Sequence, residues 1–171
     1  RALKGSILLT AGDISRQRHF AQEALAYYDQ AVHLLLSLGA PEVWAAYLNL
    51  SLTAYDHEDW ESAAQMSSNS REVALKVSTS EVVSMINSCS LFGLAKRREW
   101  SAFDMILTTL LNSDDHRYAQ YDSANTLERL AHSLNEEGEA LRAQEVWRLT
   151  AYQFRALGLI DRALIAENFQ V

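Results

Sequence analysis

The chain has 171 residues, 49% of them hydrophobic and 22% charged, with six Gly, one Pro, one Cys and a formal charge of −7. That apolar content excludes a disordered chain, and so few turn-formers exclude an all-β fold with a turn every ~8–12 residues. The acidic balance excludes a general nucleic-acid or anionic-membrane surface, and no apolar run nears the ~18 residues of a membrane span.

Hydrophobic periodicity and punctuation predict nine helices, over residues 1–15, 19–38, 41–56, 59–77, 80–96, 99–112, 115–137, 139–157 and 160–170. Gly12-Asp13 stands near the end of the first apolar segment. In the second, Ala24, Leu25, Tyr28, Ala31, Val32 and Leu35 recur at offsets of three and four, one face of an α-helix. Gly39-Ala40-Pro41 then breaks the chain, Gly suiting the residue after a helix and Pro the first turn of the next. Ser78-Thr79-Ser80-Glu81 has capping-box spacing ahead of Val82-Val83, and Ser113-Asp114-Asp115 offers a further N-cap. Leu127, Leu130, Ala131 and Leu134 repeat the helical spacing; Gly138 and Gly158 mark later turns, and Asp161 is a candidate cap for the last helix. Connections this short make consecutive helices antiparallel neighbours, in a single domain spanning 1–171. With Arg1 in first position, the chain is expected to be a fragment of a longer parent.

Four segments align on their second helices, around Ala24, Ala63, Phe103 and Ala143, at intervals of about forty residues. Each reads as a helical hairpin. In the first unit Leu8, Ala11, Gly12 and Ser15 precede Ala24, Tyr28 and Ala31; in the second, Tyr47, Leu50, Ser51 and Ala54 precede Ala63, Ser67 and Ser70. The fourth has Leu127, Leu130, Ala131 and Leu134, then Gly138, Ala143, Trp147 and Thr150. The third departs most, with Phe103 where a small residue is expected. Small residues let paired helices approach to ~8–10 Å, while large ones fill the gap to the next pair.

This pattern resembles the tetratricopeptide repeat (TPR) family over about residues 1–157. Its long period is similar to that of MalT-type bacterial regulators and LGN-like scaffolds. The resemblance implies an all-α fold, an α-α superhelix of about four helical hairpins plus a C-terminal helix. It also implies a non-catalytic protein or peptide interaction module without cofactor, in a regulatory or sensor region of a larger cytoplasmic protein. The partner is a separate protein or another domain of the same parent, with no nucleic acid or membrane involved. In such proteins the first helices line a groove. Carried over, that groove takes Asp13 and Gln17 from the first unit, Leu48, Leu52 and Tyr55 from the second, and Met85, Phe92 and Lys96 from the third. The fourth contributes Glu128 and His132. Its apolar centre suits an amphipathic helix or hydrophobic peptide, unless the same strip packs as core against a neighbouring repeat. The basic clamp that chaperone-type TPR domains use for a C-terminal carboxylate is missing from these positions.

Other constellations read as structural. Lys96-Arg97-Arg98 ends a helix, where cations complement the helix dipole. Asp56-His57-Glu58-Asp59 is an acidic turn whose side chains diverge, and His19, His33, His57, His116 and His132 show no metal-ligand spacing. Cys89 has no activating neighbour in the sequence and reads as a small buried group in a reducing compartment. Asn49-Leu50-Ser51 matches the glycosylation pattern but falls inside a helix. Trp44, Trp60, Trp100 and Trp147 are expected to be core, with any exposed one a candidate anchor. The competing function is structural self-assembly, a homo-oligomer formed through the terminal helices, because Ile160, Leu164, Ile165 and Phe169 give the last helix an apolar, unpaired face.

Overall fold

The computed structural model describes residues 2–113 and 119–169. Among them lie nine helices and no strand: α1 (Ala2–Gln17), α2 (Ala21–Ser37), α3 (Val43–Asp56), α4 (Trp60–Val77), α5 (Ser80–Lys96), α6 (Trp100–Leu111), α7 (Tyr121–Glu136), α8 (Ala140–Ala156) and α9 (Ile160–Asn168). The fold is all-α, and the expected bounds hold within two residues except at the start of α7. There the helix begins only at Tyr121, because Gln120 has extended backbone and its N–H donates to Ser123 Oγ. Asp114, Asp115 and His116 lie outside the described residues. One further expectation shifts: Asp161 sits in the first turn of α9 while Leu159 is its cap. Gly12 lies inside α1, within the expected bounds.

One turn recurs. His19, Gly39, Glu58, Arg98, Gly138 and Gly158 all have positive φ, between 55° and 80°. At each, the next residue's N–H donates back to a carbonyl five positions earlier at 2.8–3.0 Å, and the positive-φ residue itself donates three positions back. This is the Schellman motif, which satisfies carbonyls the helix end leaves orphaned. After five of the six turns, the following residue also caps the next helix, its carbonyl accepting from Ala24, Ala63, Phe103, Ala143 or Ala163. Those five side chains are wholly buried. The sequence anchors are therefore one structural position, the first full turn of each second helix, with Ala163 as its counterpart in α9. Phe103 keeps that place despite its bulk.

The chain divides into two compact units, residues 1–79 and 80–171. In the first, α1 pairs with α2 and α3 with α4, while α2 packs on α3. Ala31, Val32, Leu35, Val43 and Ala46 form a core cluster there, against Leu8, Leu9, Tyr47, Leu50 and Val73. Ser51 Oγ donates to the Ala63 carbonyl and Ser70 Oγ to that of Trp44, both at 2.8 Å, so α3 and α4 are tied at both ends of their contact.

In the second unit α5 pairs with α6, α7 with α8, and α9 adds to α8; α5 also packs along α7. Trp147, Phe103, Phe154, Ile86 and Leu91 are fully buried. Each such side chain contributes about 1.5–3 kcal/mol through burial. A polar relay crosses this core. Ser123 Oγ donates to Gln153 Oε1 at 2.7 Å, Gln153 Nε2 donates to Ser88 Oγ at 3.2 Å, and Ser88 Oγ donates to the Ser84 carbonyl at 3.0 Å. With its partners present, this relay fixes the register of α5, α7 and α8 without leaving the amide unsatisfied.

Candidate interaction surface

The residues expected to line a groove separate into two kinds. Leu48, Leu52, Tyr55, Met85 and Phe92 are all buried, none more than 6% exposed. They are core, and the expected apolar groove floor is corrected accordingly. The physical reason is visible in α3 and α5. Residues 43–55 and 82–95 contain no charged side chain, and buried positions occur around the whole circumference of both helices. A helix apolar on every side is an interior helix rather than one with a presented face.

The polar positions stay near the surface, and most are engaged within the chain. Gln17 is exposed. Asp13 Oδ1 accepts from Tyr28 Oη at 2.7 Å and from Asn49 Nδ2 at 3.0 Å, joining α1, α2 and α3. Nearby, Arg16 faces Asp56 at 3.6 Å. The acidic turn divides its work: Glu58 takes the positive-φ position, and Asp59 caps α4 by accepting from the Ser62 N–H at 3.2 Å. A hydrogen bond from the Ser62 side chain, and then this one from its backbone, lower the Asp59 carboxyl below its ordinary range.

In the second unit, Asn125, Glu128 and His132 fall on one stripe of α7 at helical spacing, with Arg129 and Glu136 exposed beside them. On one flank, Lys96 Nζ donates to Ser133 Oγ and to Glu137 Oε1, both at 2.6 Å, and lies 5.8 Å from the Phe92 ring centre. Arg129 approaches the same ring at 5.7 Å. The Lys96 hydrogen bond holds the Glu137 carboxyl below the ordinary glutamate range. On the other flank, Arg162 of α9 pairs with Glu128, donates to Asn125 Oδ1 at 2.8 Å, and stacks 4.1 Å from the Phe154 ring centre. His132 sits edge-on to Trp147, with ring centres 4.7 Å apart. Arg97 pairs with Glu99, so the basic cluster at the end of α5 is spent on neighbours.

Sequence reasoning missed Arg129, Ser133, Glu137 and Arg162. A signal existed. Arg16 with Asp56, and Lys96 with Glu137, are opposite charges about one repeat apart at the ends of successive first helices. Away from this stripe, Arg142 bridges Asp104 at 2.8 Å and Glu139 at 2.7 Å over the Trp100 ring, beside a shallow hollow of about 520 Å³ lined in part by Leu107, Leu111 and Leu141. Among the described residues no cluster of His, Cys, Asp or Glu is arranged to hold a metal ion, and no helix is long and apolar enough to cross a membrane. Cys89 is buried.

The chain is thus an all-helical protein built from recurring antiparallel hairpins. No protein-family model and no curated protein matches it.

Proposed function

We propose that this chain is a non-catalytic, TPR-like interaction module that holds a protein or peptide partner on the exposed stripe of α7 and the residues flanking it. The observation that carries this reading is the recurrence of one turn and one buried anchor from hairpin to hairpin. Such arrays expose successive helices as an extended surface rather than a single enclosed pocket. Its chemistry fits as well: Lys96, Glu137, Glu128 and Arg162 neutralise one another in pairs, which leaves mixed polarity suited to orienting a partner. The partner belongs to the cytoplasm under this reading and needs no cofactor.

Selection of peptides from a random library on the intact chain tests it. Enriched peptides should lose at least tenfold in affinity for Arg129→Glu or His132→Ala, both at exposed positions, with folding of each variant checked by circular dichroism. Peptides that bind the variants as tightly as the parent would overturn the α7 assignment.

A second reading, self-assembly, is favoured by α1, where Leu3, Ile7 and Ile14 form an exposed stripe, 73%, 57% and 45% accessible. Sedimentation velocity separates the two. A concentration-dependent dimer abolished by Ile7→Lys supports assembly, and a monomer at tens of micromolar removes it.

A further inference from the structure

The last helix buries only small side chains in its unit. Of α9 only Ala163 and Ala166 are buried, while Ile160, Leu164 and Ile165 are about half exposed. Its other ties come from partly exposed side chains: Arg162 pairs with Glu128, donates to Asn125 Oδ1 and lies over the Phe154 ring, and Arg155 pairs with Glu167. Such pairs add little to local stability. Yet at its end Phe169 makes a specific contact. Its ring stacks on Trp147 at 4.7 Å with 14° between planes, and meets His132 at 5.7 Å and 76°. Trp147 is wholly buried, and its indole N–H has no hydrogen-bond partner. A buried indole ordinarily has such a partner. Here ring contact is what holds Phe169 to it, so nothing polar on the indole is lost if that ring leaves. Phe169 itself is 46% exposed. It is a half-exposed ring seated on the flat face of an otherwise interior tryptophan.

We propose that α9 is a displaceable arm, and that the face of Trp147 walled by His132 is a receptor for an aromatic side chain, filled in cis by Phe169 and in trans by an aromatic residue of a partner peptide. The inference rests on the reading of α7 as the partner surface and adds its regulation. Arg162 and Phe169 of α9 engage Asn125, Glu128 and His132, the same stripe that the partner would use. A partner carrying an aromatic residue and a cation at that spacing would compete with the arm for both contacts. Until it does, the arm lowers apparent affinity by the fraction of time it is docked.

The test uses the intact chain and, as probe, a fluorescently labelled synthetic peptide of residues 158–169. Phe169→Ala in the chain should raise probe affinity at least tenfold over wild type. Replacing Phe169 by Ala in the probe, or adding His132→Ala to the chain, should remove most of that gain. In wild type, the amides of α9 should exchange with solvent at least tenfold faster than those of α8, and faster again in Phe169→Ala with α8 unchanged. Equal probe binding by wild type and Phe169→Ala, or no binding by the variant, would overturn the proposal. So would α9 amides that exchange only with global unfolding. If library peptides still depend on His132 while Phe169→Ala gives no gain, the α7 surface stands and the arm does not.

Discussion

The Tyr28 ring of α2 lies against the bare α-carbon of Gly12 in α1: a β-carbon built on Gly12 would fall 2.3 Å from the ring. That is far inside van der Waals contact, and the ring is fully buried, so it has no free space to yield. Gly12 is therefore kept in mid-helix, where glycine ordinarily costs about 1 kcal/mol relative to alanine, because it sets the approach of the hairpin. Gly12→Ala should destabilise the chain by up to about 2 kcal/mol net, an overpacking strain of about 1–3 kcal/mol less a propensity gain of about 1 kcal/mol. Urea unfolding followed by circular dichroism measures it. A stabilised variant would mean that the hairpin opens at no cost.

The same tyrosine gives a pH dependence. Burial raises its phenol above the ordinary tyrosine range, and the hydrogen bond to Asp13 and that carboxylate's charge push the same way. The folded state therefore keeps the phenolic proton after the unfolded chain has lost it. The associated stability is fully present below the ordinary tyrosine pKa near 10 and is lost as pH rises from there through the folded value. Tyr28→Phe removes the hydrogen bond and should cost about 1 kcal/mol at neutral pH. That deficit should shrink above pH ~10, because phenylalanine has no proton to lose. Urea melts of both proteins across the alkaline range decide it, and a deficit independent of pH would contradict the assigned role.

Much of the fold was legible because the signals were local. Gly39, Gly138 and Gly158 announced their turns, and Ala24, Ala63 and Ala143 announced close helix contacts. The turns at His19, Glu58 and Arg98 carry no glycine, and are placed by the break in helical periodicity between flanking segments instead. The interaction surface was less legible. Periodicity puts Leu48, Leu52 and Tyr55 on one side of α3, but two buried sides and one buried side give similar patterns until the missing charges are weighed. Glu128 and His132 were found through the repeat. Their partners Arg162 and Phe169 were not, because they lie on a helix whose pairing no local signal specifies.

Those non-glycine turns are a reserve of stability. His19, Glu58 and Arg98 hold φ of 62°, 59° and 55° with a β-carbon present. That conformation costs an L-residue roughly 1 kcal/mol, and glycine adopts it freely. All three are exposed. Each change to Gly should raise stability by about 0.5–1 kcal/mol, less the backbone freedom glycine adds to the unfolded chain. Gly39→Ala, with open space around its β-carbon position but φ of 60°, should lower stability by a similar amount through backbone strain alone. Thermal melts of the four variants test the pair of claims, and loss of stability in all three Gly variants would contradict them.

Lys96 and Glu137 couple the ends of α5 and α7, and their interaction has a defined sign with pH. The Lys96 hydrogen bond lowers the Glu137 carboxyl pKa, the Ser133 hydroxyl and the nearby charges of Lys96 and Arg98 act in the same direction, and partial desolvation opposes them. A depressed carboxyl contributes stability that is present above the ordinary glutamate range and is lost as pH falls through the lowered value. Both side chains remain partly exposed, so solvent screening limits the coupling to about 0.5–1 kcal/mol. A double-mutant cycle with Lys96→Met and Glu137→Gln isolates that coupling. It should appear at neutral pH, weaken with added salt, and vanish once the solution is acidic enough to protonate Glu137. A coupling that persists unchanged in acid would mean that the contact of Lys96 with Ser133 Oγ, rather than the carboxylate, joins the two helices.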